Sequence, residues 1–428
     1  MSVMKKMRIL ALMLCVILLT ACIPSAFAEE KLEPLNIYYL STRANDAYIN
    51  SLLQIIDSYN ALHPEAPVTL QLESITTRSS YDQKIKILAS SEELPDWFDA
   101  DPDTFLHTLA DQGLVYDMDK LFEELGVADK FYTISKEYGR FVDGGLYNFT
   151  WQCNTEYFFY NKDLFAAAGI ESTPKTFDEL LEVCQKLQNK GIMPISMCKG
   201  WPLLRYTAMV AFRMTGNDFI EQASAGEISW GTEAGIKTME YTKELAKYFQ
   251  PGWTTADRST HKELFASGQC AIYYDGTWST NLITDKNQNL LPQFDVFTMP
   301  VYSENDVTTE NDYFANSGIG TSVKTSSMTY SMKQFLKYFF ENYGEVCVAN
   351  GALPSIMPSD PSKIPGIFNR VLDDIAKMNE YALCWDNVID SSSASALESQ
   401  CTNMVIGVIS AEEFAQIMDE TVAANKAQ

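Results

Sequence analysis

Residues 157–180 read YFFYNKDLFAAAGIESTPKTFDEL, and their pattern organises the chain around them. Tyr157–Tyr160 is an aromatic, β-prone run. Asn161-Lys162-Asp163 forms a turn, and a short helical piece then ends at Gly169. After Pro174, Thr176-Phe177-Asp178-Glu179 is a capping box. The Thr side chain takes an orphan N–H of the helix start and the Glu reaches back. The expectation is strand, turn, short helix, second helix. The stretch contains no nucleophile, no glycine-rich cradle and no metal-ligand spacing, so what it specifies is shape.

Upstream, LNIYYL (Leu35–Leu40) is a short strand. The next helix sets Ile49, Leu52, Leu53 and Ile56 on one face at i, i+3, i+4, i+7. HPEAP breaks it. VTLQLES alternates as a strand, SSYDQKIKILASSE is helical, and LPDWFDA is a strand running into a polar loop. This β-α-β-α-β order opens a parallel or mixed α/β sheet. Downstream, QCAIYYDG (269–276), FDVFTM (294–299) and SGIGTSV (317–323) are strands, and a helix runs from about Ser327 to Asn342. The region from Pro365 onward is mostly helical. Thr260–Glu263 and Ser410–Glu413 repeat the capping-box signature. There are no internal repeats and no low-complexity linker, so any lobes are interleaved or tightly joined rather than strung in series.

With 428 residues the chain can form two or three domains. A net charge of −24 argues against nucleic acid and anionic membranes as partners. At the N-terminus, Lys5, Lys6 and Arg8 precede an apolar run, Ile9–Thr20, that is short for a membrane span. LTAC (Leu19–Cys22) has the form of a lipobox, which makes Cys22 the lipidated residue. AFA ending at Ala28 offers an alternative cleavage site, with release rather than anchoring. Either reading exports the chain. The seven cysteines beyond Cys22 are scattered singly and odd in number, which argues against a disulfide or zinc framework.

The three histidines, His63, His107 and His261, have no neighbours at ligand spacing, and the G-x-S-x-G, P-loop and H-E-x-x-H patterns do not occur. Two cleft carboxylates of a glycosidase could still come from anywhere in the chain. Asp99-Ala-Asp101-Pro-Asp103 begins like a calcium loop but has Thr104 at the glycine position and Ala110 at the closing one. No metal or cofactor is expected. Loops after strands are where α/β sheets take ligands, so these aspartates are candidate hydrogen-bond acceptors for hydroxyls. Aromatic residues make up 12% of the chain, and Trp97, Trp151, Trp201, Trp278 and Trp385 fall at element ends. Sugars need flat aromatic surfaces with planar polar groups beside them. Trp278, in YYDGTWST, follows a strand end among Gly276, Thr277, Ser279 and Thr280, a context suited to a cleft wall rather than a core.

The segment 157–180 resembles the family 1 extracellular solute-binding proteins of bacterial ABC importers, the sugar-binding lipoproteins among them. Tyr160–Asp163, Phe165, Gly169, Pro174 and Thr176–Glu179 carry the likeness. Three segments agree in order: ELPDWFDADPDTFLHTLADQGLVYDMDKLF, ELFASGQCAIYYDGTWS and SMKQFLKYFFENYGEVCVANGALPS. Asp275 and Thr277 depart from the usual pattern, as does Leu383–Ser399. The resemblance implies a type II periplasmic-binding-protein-like α/β fold. It has two lobes, each a mixed sheet flanked by helices, and a hinged cleft between them. The expected division is a leader 1–28, an N-terminal lobe 29–148 plus 296–342, and a C-terminal lobe 149–295 plus 343–428. Crossings are expected near Gly145–Trp151, Phe294–Pro300 and Asn342–Val346.

The resemblance further implies a non-catalytic, monomeric receptor on the outer face of the cell membrane, held there by its lipid alone. It would take a carbohydrate, an oligosaccharide by expectation, and deliver it to ABC permease subunits. The alternatives are an exported carbohydrate-active enzyme and a receptor for a non-sugar solute. Implied ligand residues are Thr42, Arg43, Asp99, Asp101 and Asp103 in the first lobe. Trp151 and Asn154 would contribute at the first crossing, and Trp201, Trp278 and Trp385 in the second lobe.

Overall fold

A computed structural model describes residues 31–44, 46–141 and 143–426; Cys22 and Ala28 lie outside them. Its strands are β1 (Leu35–Ser41), β2 (Val68–Ser74), β3 (Trp97–Ala100), β4 (Asn154–Asn161), β5 (Met193–Ile195), β6 (Cys270–Gly276), β7 (Phe294–Phe297), β8 (Ala315–Asn316) and β9 (Gly320–Val323). They form two sheets.

The first sheet has the order β2-β1-β3-β9. The β1, β2 and β3 strands are parallel, as the β-α-β-α-β reading requires, and β9 is antiparallel, with Gly320 opposite Ala100. Helices cover both faces. One face packs Tyr39, Trp97, Trp151, Phe335 and Phe339; the other packs Leu40, Tyr81, Phe98 and Leu106. On the helix Ala47–Leu62, Ile49, Leu52 and Ile56 are buried as expected, while Leu53 is exposed and Ile55 takes its place in the core.

The second sheet has the order β5-β6-β4-β7, with β8 paired to the start of β4. The 157–180 stretch lies at its centre. Between β6 and β7 the β4 strand buries side chains on both faces. An unbroken aromatic run rather than an alternating one is what such a strand needs. Phe158 stacks on Phe297 at 5.0 Å. Asn161 then caps the helix Lys162–Ala167, and Thr176 Oγ1 accepts from Glu179 N at 3.1 Å. Glu179 in return accepts from Lys175 N. The Ser410–Glu413 box is formed in both directions. The Thr260–Glu263 box is not: Asp257 caps that helix by accepting from Thr260 N, three residues earlier than expected.

The lobe boundaries differ from the sequence expectation. The β7 strand pairs with β4 inside the second sheet, so Phe294–Pro300 is no crossing. The chain returns to the first lobe between Asn316 and Gly320. The first crossing falls between Trp151, in the first core, and Cys153, in the second. The helix expected at Ser327–Asn342 runs Tyr330–Ala349 and packs on the first lobe along its length. The third crossing therefore lies beyond Asn342–Val346, between the helix end at Ala349 and Ile367; within it Leu353 packs in the second core and Ile356 in the first. The first crossing borders the expected range, the third moved because the helix continues to Ala349, and the second has a reason in the sheet. Strand pairing is non-local, and a short apolar strand reads the same whether it lies mid-sheet or at a hinge.

Candidate functional site

The crossings define which sheet edges meet. The β9 strand begins just after the second crossing and lies antiparallel to β3, so the C-terminal ends of β3 and its parallel neighbour β1 lie at the hinge. In the other lobe β4 begins just after the first crossing. Antiparallel β6 therefore ends there, and so does β5, parallel to β6. The loops 41–43 and 100–103 of one lobe and 196–201 and 276–278 of the other are thus brought to the hinge side, where open α/β sheets take ligands.

On the first-lobe side, Asp99 is buried and accepts from Tyr39 Oη (2.6 Å), Ser41 Oγ (2.8 Å), Thr42 N (2.7 Å), Thr42 Oγ1 (2.8 Å) and Thr321 Oγ1 (2.8 Å). Asp99 and Thr42 are therefore bound to each other. Asp101 is partly exposed and meets Arg78 at 2.7 Å. Burial pushes its carboxyl above the ordinary range, with Arg78 opposing. Asp103 caps the helix Thr104–Asp111. The Arg43 guanidinium lies over the Tyr48 ring at 4.9 Å, meets Asp46 at 3.5 Å and donates to Ile319 O in the second crossing at 3.4 Å. Its Nε is buried without a partner. Trp151 is fully buried, stacked on Tyr39 with its N–H on Thr321. It is a core residue of the hinge, and the expectation that it touches ligand is withdrawn.

The second-lobe face is built differently. Asp275, the end of β6, is fully buried and accepts from Tyr273 Oη, Trp278 Nε1 (2.8 Å), Ser279 Oγ (2.6 Å) and Arg258 Nη2 (3.2 Å). Trp278 is 42% exposed although its indole N–H is held. A Cβ at Gly276 would come within 2.3 Å of the Trp278 ring, so glycine is what lets the indole lie against the strand end. Trp201 meets Trp278 edge-on, 6.0 Å between centroids at 66°. The Arg258 guanidinium lies 4.3 Å from the Trp201 centroid and that of Arg205 at 5.1 Å, both within cation–π range. Arg205 Nε also bonds both oxygens of buried Glu156 at 3.0 and 3.1 Å. Burial raises the Glu156 carboxyl, and Arg205 works against it. Asn154 is buried between Thr277 Oγ1 at 3.0 Å and Asn316 Oδ1 at 3.4 Å.

Trp385 is excluded from the cleft. It is fully buried, stacked on Trp230 at 4.3 Å with its N–H on Thr207. Arg205, Arg258 and Glu156 went unseen in the sequence because no local motif marks them; they meet through strand pairing and helix placement. Asp275 carried one signal, its departure from the usual pattern beside the tryptophan.

Among the described residues no group of three metal-ligating side chains converges, and no helix is long and apolar enough to cross a membrane. Two α/β lobes joined by short crossings, with an aromatic and hydrogen-bonding surface on the hinge side, define a two-lobed binding fold. The sequence profile of the family described as "Bacterial extracellular solute-binding protein" matches residues 46–342, and the chain belongs to that family. It is similar to the sn-glycerol-3-phosphate-binding periplasmic protein of Rhizobium meliloti, 27% identical over 30% of this chain and 31% of that one. It is also similar to the maltotriose-binding protein of Pyrococcus abyssi, 21% identical over 54% of this chain and 47% of that one. The matches thus span about a third to a half of these curated relatives. In structure it resembles a chitin oligosaccharide binding protein, with a TM-score of 0.70 at 21% identity over 91% of this chain and 99% of that one. That likeness shows the fold.

Proposed function

We propose that the protein is an exported receptor that captures an uncharged oligosaccharide between its lobes and delivers it, unreacted, to an ABC import permease. The observation that carries the reading is the half-exposed indole of Trp278, held by Asp275 at a strand end and backed by Trp201. A fixed aromatic face is what the C–H face of a sugar ring stacks on. Charge matching supports a neutral ligand. The guanidinium groups of Arg43, Arg78, Arg205 and Arg258 each meet a carboxylate, those of Asp46, Asp101, Glu156 and Asp275. None of these four guanidinium groups is left unmatched for a phosphate; the exposed Lys199, two residues before Trp201, is the cation that makes an anionic comparator necessary in the test. A relative named for maltotriose accords with the sugar reading, and a relative named for sn-glycerol 3-phosphate makes that anion the comparator for the test. Closure about the three crossings would add contacts made only in the closed state, and those supply the population shift. Lipidation at Cys22 would hold a monomer at the membrane surface; mass spectrometry of the mature N-terminus distinguishes this from release at Ala28.

The test is a thermal-shift screen over mono- and oligosaccharides, with glycerol 3-phosphate as the anionic comparator. A ligand that binds only the folded form raises the melting temperature. A shift with glycerol 3-phosphate and none with any sugar would overturn the proposal.

A further inference from the structure

A groove of about 460 Å³, in the range of small-ligand sites, opens where the loop leading into Trp201 meets the helix Ser391–Val405. Its lining is polar: Lys199, Thr254, Glu398, Ser399, Thr402 and Asn403. One wall is the loop that follows β5 and leads into Trp201. The opposite wall is the helix Ser391–Val405. Gly200 joins the groove to the indole, with φ at +92°, and a Cβ there would stand 3.5 Å from Glu398 Oε1. The helix thus packs against the residue immediately before Trp201. The first half of this helix falls in Leu383–Ser399, the segment whose sequence departs from the family pattern.

Resting on the carbohydrate reading, we infer that this groove is a further sugar-ring subsite, and that it makes the receptor selective for longer oligosaccharides. The Trp278–Trp201 pair supplies the stacking surface for one ring. Hydroxyls of Thr254, Ser399 and Thr402, the Asn403 amide, and the Lys199 and Glu398 head groups supply donors and acceptors of both kinds. A pyranose presents the same mixture around its rim. A ring here would be held by hydrogen bonds at its edge rather than by stacking. Selectivity by length follows, because only a chain that reaches past Gly200 gains these contacts.

Calorimetry on the full chain, with mono- to tetrasaccharides of the malto-, xylo- and chito- series, tests this. The wild type should bind the longest member of one series about tenfold or more tightly than its shortest. Ser399 is exposed on its helix, so Ser399→Trp fills the groove without entering the core. It should abolish the length dependence and leave the shortest ligand's affinity unchanged. Asn403→Ala should reduce the same gain without filling the groove. Trp278→Ala should weaken every length equally. Binding that does not grow with length, or a Ser399→Trp protein whose length dependence survives, overturns the subsite while the carbohydrate reading stands. No binding in any series overturns both.

Discussion

Asp99 and Asp275 are the same residue type in the same kind of place, buried at a strand end on the hinge side of a sheet, yet they serve different surfaces. Asp99 draws its donors from Tyr39, Ser41, Thr42 and Thr321, so it ties β1, β3 and β9 together. Asp275 takes Tyr273 and Ser279 from its own segment but also Trp278 and Arg258, two side chains that reach the open side. A buried carboxylate in a binding cleft is therefore no ligand contact by default. It either closes the sheet or aims the groups that make the contact. The first lobe uses its carboxylate for the former; under the proposed function the second uses its own for the latter.

Alanine at each aspartate gives the largest expected effects. Asp99→Ala strands several buried donors and should cost about 3–5 kcal/mol of stability in urea titrations. Sugar affinity of the fraction that remains folded should change little. Asp275→Ala should cost a similar amount and also lower affinity, since Trp278 and Arg258 lose their common acceptor. Equal affinity losses in the two variants would erase the distinction between the lobes.

A tryptophan pair comes next. Trp385→Ala opens a cavity against Trp230 and Phe219 and should destabilise by about 3–4 kcal/mol. Its ligand affinity in calorimetry should be that of the wild type. Trp278→Ala should do the reverse, with a melting temperature nearly unchanged and binding weaker by about 2–3 kcal/mol. A Trp278 variant that binds as before would remove the indole from the site.

The two tryptophans also mark how far the sequence could be read. Trp278 was legible because its hydroxyl and glycine neighbours make a poor core context, and exposure is a local consequence of that. Trp385 was not, because its burial depends on Trp230, far away in the chain. Seven of the nine described strands were legible as short apolar or alternating runs bounded by turns; β5 and β8, three and two residues long, were too short to read. Strand partners were not legible, and the misplacement of the second crossing follows from that, since β7 looks the same whether it pairs with β4 or spans a hinge. Arg258 was invisible for the same reason: its place over Trp201 is set by where a helix docks.

His261 sharpens the comparison through pH. It is buried beside the Tyr273 ring, and both ring nitrogens lack partners. Burial lowers its pKa from 6.5 to about 4, with Asp275 opposing and Arg258 assisting. The folded state thus binds its proton less readily than the unfolded state. Stability from this group is complete above pH 6.5 and is lost as pH falls toward 4, about 3 kcal/mol in all. His261→Phe should flatten that acid limb in urea titrations at a series of pH values. An unchanged limb would mean that the floor beneath Asp275 is not what titrates.

Asp101 gives the smallest effect and the most direct test of the first lobe's part. It is a partly exposed carboxylate on that side, and its bond to Arg78 lies where solvent screens it. Such pairs contribute about 0–1 kcal/mol to stability, so Asp101→Ala should barely move the melting temperature. If the first lobe only covers a ligand anchored on the second, sugar affinity should fall by about 1 kcal/mol, the size of one ordinary hydrogen bond. A loss as large as that of Trp278→Ala would mean that the two faces share the anchoring. The first lobe would then hold its own ligand contact at Asp101, beside the carboxylate that closes its sheet.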